Sequence, residues 1–381
     1  MVTAGVRSRW RLSAAALTGV AVLATGCALV LNGASGDAVR GPTLAAALVP
    51  SAPPAGSPAP VGTGAAKVAA SAQTAPASDP ALALQADFVK VVKAVRPSVV
   101  EITTSSGLGS GVVFDTRGDI VTNAHVVGSD TTFTVTFADG RRASAALVGT
   151  YPPDDLAVIR AQGAGKIRPA QFGDSSTAQA GTIVMAIGNP LGLSSSVTEG
   201  IVSFNGRAVD EGNGTVLADM VQTSAAINPG NSGGALANLS GKVIGVPTLA
   251  ASAGAAAAPG LGFAIPSNTV KLIVPQLVAQ GKVTKAGRAA LGVSVTDGYD
   301  FSGAAIGALL TAVRPGGPAA QAGLVAGDLV VSLAGQPTPT ASALQSVLAT
   351  LKPGAKVTVK AVKVDGSQLS AVVVLGDLAQ I

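Results

Sequence analysis

Histidine and cysteine are almost missing from this chain: one of each, His125 and Cys27, in 381 residues. Zinc or haem sites assembled from His/Cys clusters are therefore not expected, and no intramolecular disulfide can form. Glutamate occurs three times, at Glu101, Glu199 and Glu211, so chemistry built on paired glutamates has little material. Aromatic residues make up 3% of the chain and no basic patch is interleaved with them, which argues against a nucleic-acid partner. Lysine and arginine exceed aspartate and glutamate by only 25 to 20, and Arg7, Arg9 and Arg11 crowd into the first dozen residues. Neither a metal nor a cofactor is expected.

What is present divides the chain into segments. Residues 1–11 are a basic n-region, and Leu12 to Leu31 form an uncharged stretch of 20 residues rich in Ala, Val and Leu. At about 1.5 Å per residue such a helix spans about 30 Å, the hydrocarbon thickness of a bilayer. The preceding arginines put the N-terminus in the cytoplasm and the rest outside. The stretch is expected to be a single-pass signal anchor; a cleaved signal, or a lipoprotein attached at Cys27, is the alternative. Residues 32–83 are Ala, Pro, Ser, Gly and Thr with few large apolar side chains, a composition that cannot offset its ordering entropy. They are expected to be a disordered tether with a reach of about 40 Å. From residue 84 a short helix (Ala81 to Val95) is followed by brief β-branched runs between glycine or aspartate turns. This pattern predicts an antiparallel barrel or sandwich over residues 84–283, closed by a helix near Ser267–Gln280. Gly281 to Arg288 is expected to be a short basic hinge, and residues 288–378 a second small unit with an amphipathic helix near Ser342–Leu351.

The lone histidine lies in Thr122-Asn123-Ala124-His125-Val126-Val127. Alone it would be an ordinary core or surface residue. Downstream lie Asp154-Asp155-Leu156-Ala157-Val158 and Asn228-Pro229-Gly230-Asn231-Ser232-Gly233-Gly234. A base, an acid and a glycine-flanked serine are the parts of an activated hydroxyl nucleophile. Their order His, Asp, Ser is that of the double-barrel hydrolases. Gly230, Gly233 and Gly234 permit a tight turn exposing the Ser232 oxygen. The N–H groups of Gly230, Asn231 and Ser232 are the expected oxyanion hole, worth about 3–4 kcal/mol per donor in related chemistry. Asp155 precedes an apolar run, as a buried carboxylate at a strand start would; Asp154 is the rival acid. In an extended segment only one of the two can face inward.

These blocks, together with Ala186-Ile187-Gly188-Asn189-Pro190-Leu191-Gly192 and Gly262-Phe263-Ala264-Ile265-Pro266-Ser267, resemble the HtrA (DegP-type) serine proteases. The resemblance covers about residues 84–378. It implies a mainly β chain: a chymotrypsin-like double antiparallel β-barrel followed by a small α/β PDZ domain. It favours Asp155 over Asp154, and it implies cleavage of unfolded or damaged envelope proteins, regulated by ordering of loops near Asn189–Val197, Phe204–Asp219 and Thr248–Leu261. The last of these is so rich in alanine and glycine that it is expected to be mobile. In the second unit Ala290-Leu291-Gly292-Val293 matches the carboxylate-binding loop for C-terminal peptides, with Leu344 and Val347 lining the side-chain pocket or simply packing in the core. The family is commonly trimeric, and Phe88 lies in the segment that would contribute.

The chain also departs from related patterns. Asn231 stands where digestive proteases carry an aspartate that pairs with a new amino terminus, so trimming of the chain cannot supply activation. Pro247 follows Val246 where an asparagine is usual, and its missing N–H would weaken pairing to substrate. The specificity pocket is expected from Ala225, Ala226, Ile227, Val246 and Pro247, which carry no acid and suit small aliphatic side chains. A proteolytically weak chaperone or PDZ adaptor on the same fold is the competing reading.

Overall fold

The computed structural model describes residues 79–189, 196–210, 216–228, 230–253 and 256–381. The apolar run 12–31 and the tether as far as residue 78 lie outside the described residues, while residues 80–83, expected in the tether, are helical; among the described residues no helix is long and apolar enough to cross a membrane. Helix α1 (Pro80–Val95) opens the fold, with Pro80 at its start and the Asp79 carboxylate accepting from the Ala81 N–H at 2.9 Å.

Six strands form the first barrel: β1 (Val99–Thr103), β2 (Leu108–Val113), β3 (Asp119–Thr122), β4 (Thr132–Thr136), β5 (Arg142–Tyr151) and β6 (Leu156–Ala161), closed in the order β1-β2-β3-β6-β5-β4. A one-turn helix α2 (Ala124–Val127) leaves the end of β3. The second barrel repeats the plan with β7 (Ile183–Gly188), β8 (Ser196–Asp210), β9 (Val216–Thr223), β10 (Ala235–Asn238), β11 (Val243–Ala253) and β12 (Ala256–Pro266), in the order β10-β11-β12-β9-β8-β7. Helix α3 (Ser267–Gln280) follows, and Gly281 ends it at φ 67° with its N–H on the Leu277 carbonyl.

Several strands are apolar on both faces because each face meets a different core. Val100, Ile102, Val113, Ile120 and Ile159 fill the first barrel, while their neighbours Val99, Val112, Val121 and Val158 face outward into a layer between the barrels. Likewise Val184, Ala186 and Leu236 fill the second barrel, and Met185, Ile187 and Ala235 join the shared layer. That layer is sealed by Val91 and Val95 of α1 and by Val270, Ile273, Val274 and Leu277 of α3. Burying one such aliphatic side chain stabilises the fold by roughly 1.5–3 kcal/mol.

A third unit contains the strands β13 (Ala289–Ala290), β14 (Val293–Tyr299), β15 (Ala305–Val313), β16 (Leu329–Leu333), β17 (Gln336–Pro337), β18 (Lys356–Val362), β19 (Gln368–Val374) and β20 (Gly376–Asp377). Helices α4 (Pro318–Gln321) and α5 (Ala341–Ala349) complete it around Leu291, Leu310, Leu333 and Leu344.

Two expectations need correction. The described residues of 248–261 lie in paired strands rather than in a loop: β11 and β12 pair Leu249 with Phe263, Ala250 with Gly262 and Ser252 with Ala257. Backbone pairing carries this hairpin, and hydrogen bonding needs no bulky side chains. The Gly281–Arg288 segment is no free hinge either, because the Ala286 and Gly287 N–H groups donate to the Asp377 carboxylate, both at 2.9 Å.

Candidate active site

β3 and β6 are neighbours in the first barrel, and their ends carry His125 and Asp155 side by side. His125 sits on α2. Asp155 ends a 3₁₀ turn (Pro152–Asp154) and takes the left-handed conformation, φ 48° and ψ 42°. A non-glycine residue there costs of order 1–3 kcal/mol, offset by the bonds it makes. Its carboxylate accepts from the His125 N–H at 2.9 Å (Oδ1), from the His125 ring at 2.8 Å (Nδ1 to Oδ2) and from the Thr248 hydroxyl. Its carbonyl accepts from Ala124 N at 3.1 Å and Asn123 Nδ2 at 3.2 Å. With Nδ1–H donating to the carboxylate, the Nε2 lone pair is the basic face of the ring. The His125 side chain is 48% exposed and that of Asp155 8%.

Asp154 points elsewhere, although not because the segment is extended. The 3₁₀ turn and the left-handed residue after it send the two carboxylates apart. Asp154 pairs with Arg288 at 2.7 Å, and the same guanidinium donates to the carbonyls of Pro153 at 2.5 Å and Val216 at 2.8 Å. Burial pushes the Asp154 carboxyl above the usual carboxylate range, and Arg288 opposes that shift.

Ser232 stands on a turn fastened to both barrels. Its carbonyl accepts from Ser110 N at 3.0 Å, and the Ser110 hydroxyl donates to the Gly230 carbonyl at 2.5 Å. Gly233 has φ 81°, and a Cβ there would lie 2.2 Å from the Ser110 carbonyl oxygen, so only glycine fits. The Ser232 hydroxyl donates to the Thr248 carbonyl at 3.3 Å, on the strand that also supplies the Asp155 hydrogen bond. Asn231 is 3% exposed; its amide accepts from Asn228 N at 3.1 Å and donates to the Ala226 carbonyl at 3.0 Å. The donation is one an aspartate could not make. The Asn231 N–H is engaged within the loop, on the Asn228 carbonyl at 3.1 Å. The Gly230 and Ser232 N–H groups donate to no backbone carbonyl among the described residues.

His125, Ser232, Gly230 and Thr248 line one cleft of about 410 Å³, with Leu108, Val126 and Ile227 as its apolar walls. Of the pocket residues expected from sequence, Ile227 lies in this lining, while Ala225 is buried in the core of the second barrel, Val246 in the layer between the barrels, and Ala226 is exposed. Pro247 is buried, and its carbonyl accepts from Gly233 N at 2.9 Å. Thr248 was missed: a threonine after Val-Pro carries no sequence signal until the pairing of β11 is known. In the third unit, Leu291, Gly292, Val293 and Leu344 line a groove of about 590 Å³ between β14 and α5. Val347 packs on that unit's core, and Gln345 and Leu348 line the groove beside Leu344.

A trypsin-like peptidase domain matches residues 109–246 and a PDZ domain residues 309–363. The chain is 40% identical over 346 residues to serine protease PepD of Mycobacterium tuberculosis, covering 84% of this chain and 72% of that protein. It is 40% identical over 272 residues to the periplasmic serine endoprotease DegP of Escherichia coli, covering 69% of this chain but 56% of DegP. Among solved structures it resembles a serine endoprotease from Yersinia pestis (TM-score 0.54, 31% identity, covering 76% of this chain and 98% of that one). The HtrA-type protease AlgW with a decapeptide gives TM-score 0.55 at 28% identity, covering 76% and 98%. The chain belongs to the HtrA-type trypsin-like serine proteases, with a double β-barrel followed by a PDZ domain, and is a serine endopeptidase.

Proposed function

We propose that the chain is an exported, membrane-tethered endopeptidase that cleaves unfolded or damaged proteins outside the cytoplasm. His125, Asp155 and Ser232 carry the reaction. His125 Nε2 takes the Ser232 proton as Oγ attacks the peptide carbonyl, and the oxyanion forms against the Gly230 and Ser232 N–H groups. The C–N bond then breaks as His125 protonates the leaving amine, and water hydrolyses the acyl-enzyme by the same route. Asp155 holds the ring and balances its positive charge. The observation that carries this reading is the 2.8 Å bond from Asp155 to His125 Nδ1 in the cleft that holds Ser232.

Ile227 and the other apolar walls favour small aliphatic residues before the scissile bond, so Arg-terminated reporter peptides should be poor substrates. The groove beside Gly292 accepts C-terminal peptides by strand addition, and the barrels assemble as a trimer. Residues 12–31 hold the chain in the membrane. Cleavage of β-casein by the chain and its Ser232→Ala variant tests the catalytic reading: loss of cleavage in the variant is expected. No cleavage by either protein, with apolar C-terminal peptides added, would favour the adaptor reading instead.

A further inference from the structure

We propose that a basic cleft on the first barrel binds the phosphate of an anionic phospholipid and holds the protease against the bilayer surface. The cleft, about 510 Å³, lies where the end of α1, the β4–β5 turn and the segment after β6 meet. Lys93, Arg96, Arg141, Lys166 and Arg168 line it, with Asp139 as the one acid. That is a local excess of four positive charges in a chain whose formal net charge is +5.

Two of the cations form a fixed frame. Arg141 pairs with Asp139 at 2.7 Å, donates to the carbonyls of Ala164 and Lys166, and lies 5.2 Å from the centre of the Phe137 ring. Arg96 donates to the Ala138 carbonyl at 3.3 Å. Asp139 is therefore already matched. The side chains of Lys93, Lys166 and Arg168 have no hydrogen-bond or ion-pair partner among the described residues, and all three are exposed.

An anion with several oxygens answers such a frame. The floor decides which anion: Val92, Ile167 and Pro169 add an apolar strip beside the charges, as an acylglycerol needs and an inorganic polyanion does not. Nucleic acid is the poorer fit, since Phe137 is 3% exposed and covered by Arg141, leaving no face for base stacking. The position also suits a surface role, because α1 is the element through which the chain enters the first barrel. This proposal rests on the reading of residues 12–31 as a membrane segment. A basic side chain near an anionic surface shifts partition about fivefold, so the three unpaired cations together supply on the order of a hundredfold.

The test is hydrogen exchange of the full chain in the Ser232→Ala background, reconstituted in nanodiscs of phosphatidylcholine alone or with phosphatidylglycerol. Slower exchange in 88–97, 137–142 and 164–169 is expected only with phosphatidylglycerol, and it should vanish in Lys93→Glu/Lys166→Glu/Arg168→Glu and in high salt. Equal exchange in both discs overturns the proposal. So does protection that survives the triple variant, or protection by soluble polyphosphate but not by the lipid. Retention on neutral discs reports the membrane segment alone, so a failure of that reading is seen separately.

Discussion

At the scale of single residues, activity depends on which groups touch Asp155. Asp155→Asn should lower kcat by up to about 10⁴-fold, because the amide holds the wrong histidine tautomer. Asp154→Asn should leave kcat within roughly tenfold, since that side chain faces Arg288. Steady-state kinetics on one aliphatic peptide separates the two acids; comparable losses would mean the assignment is mistaken. Thr248→Val removes one hydrogen bond to the Asp155 carboxylate and should cost about tenfold in kcat with KM little changed. His125 and Ser232 were legible from sequence because each is chemically conspicuous: one is the only histidine and the other is flanked by glycines. Thr248 was not, since its role exists only once β11 passes beside Asp155.

At the scale of elements, turns and helix ends carry the site. Gly233→Ala forces a side chain onto the Ser110 carbonyl at a left-handed φ. It should destabilise the protein by at least about 2 kcal/mol and abolish cleavage, as read by urea denaturation and by activity. The first turn of helix α3 is tied to Asp174, whose carboxylate accepts from Ser176 Oγ at 2.7 Å and Asn268 Nδ2 at 2.7 Å. The Ser176 hydroxyl, then Asn268, hold its pKa down to about 2. The folded value lies below the unfolded one, so this stabilisation is present above about pH 4 and is lost as pH falls toward 2. The difference in Tm between wild type and Asp174→Asn should accordingly narrow on acidification; a gap independent of pH would contradict it. The boundaries of α3 were plain in the sequence because Val270, Ile273, Val274 and Leu277 keep helical spacing. The hairpin of β11 and β12 was hidden, because alanine and glycine register neither helical nor strand periodicity.

At the scale of the whole molecule, the two barrels and the PDZ domain are joined by Arg288, which bonds to Asp154 one residue from Asp155 and to Val216 at the start of β9. The Val216 N–H in turn donates to Gln345 of α5 at 3.1 Å. Arg288→Ala leaves a buried carboxylate unpaired and should cost about 3–5 kcal/mol; calorimetry would show a lower Tm, partly restored by adding Asp154→Ala. From composition, residues 281–288 read as a short basic hinge, since a buried ion pair with a distant partner leaves no local pattern. The central claim is that His125 and Asp155 activate Ser232 as a nucleophile. The most direct measurement is intact and peptide mass after exposure to a serine-directed fluorophosphonate. A single adduct on the peptide holding Ser232, lost in His125→Ala, is the result expected. Labelling at another residue, or equal labelling without His125, would contradict it.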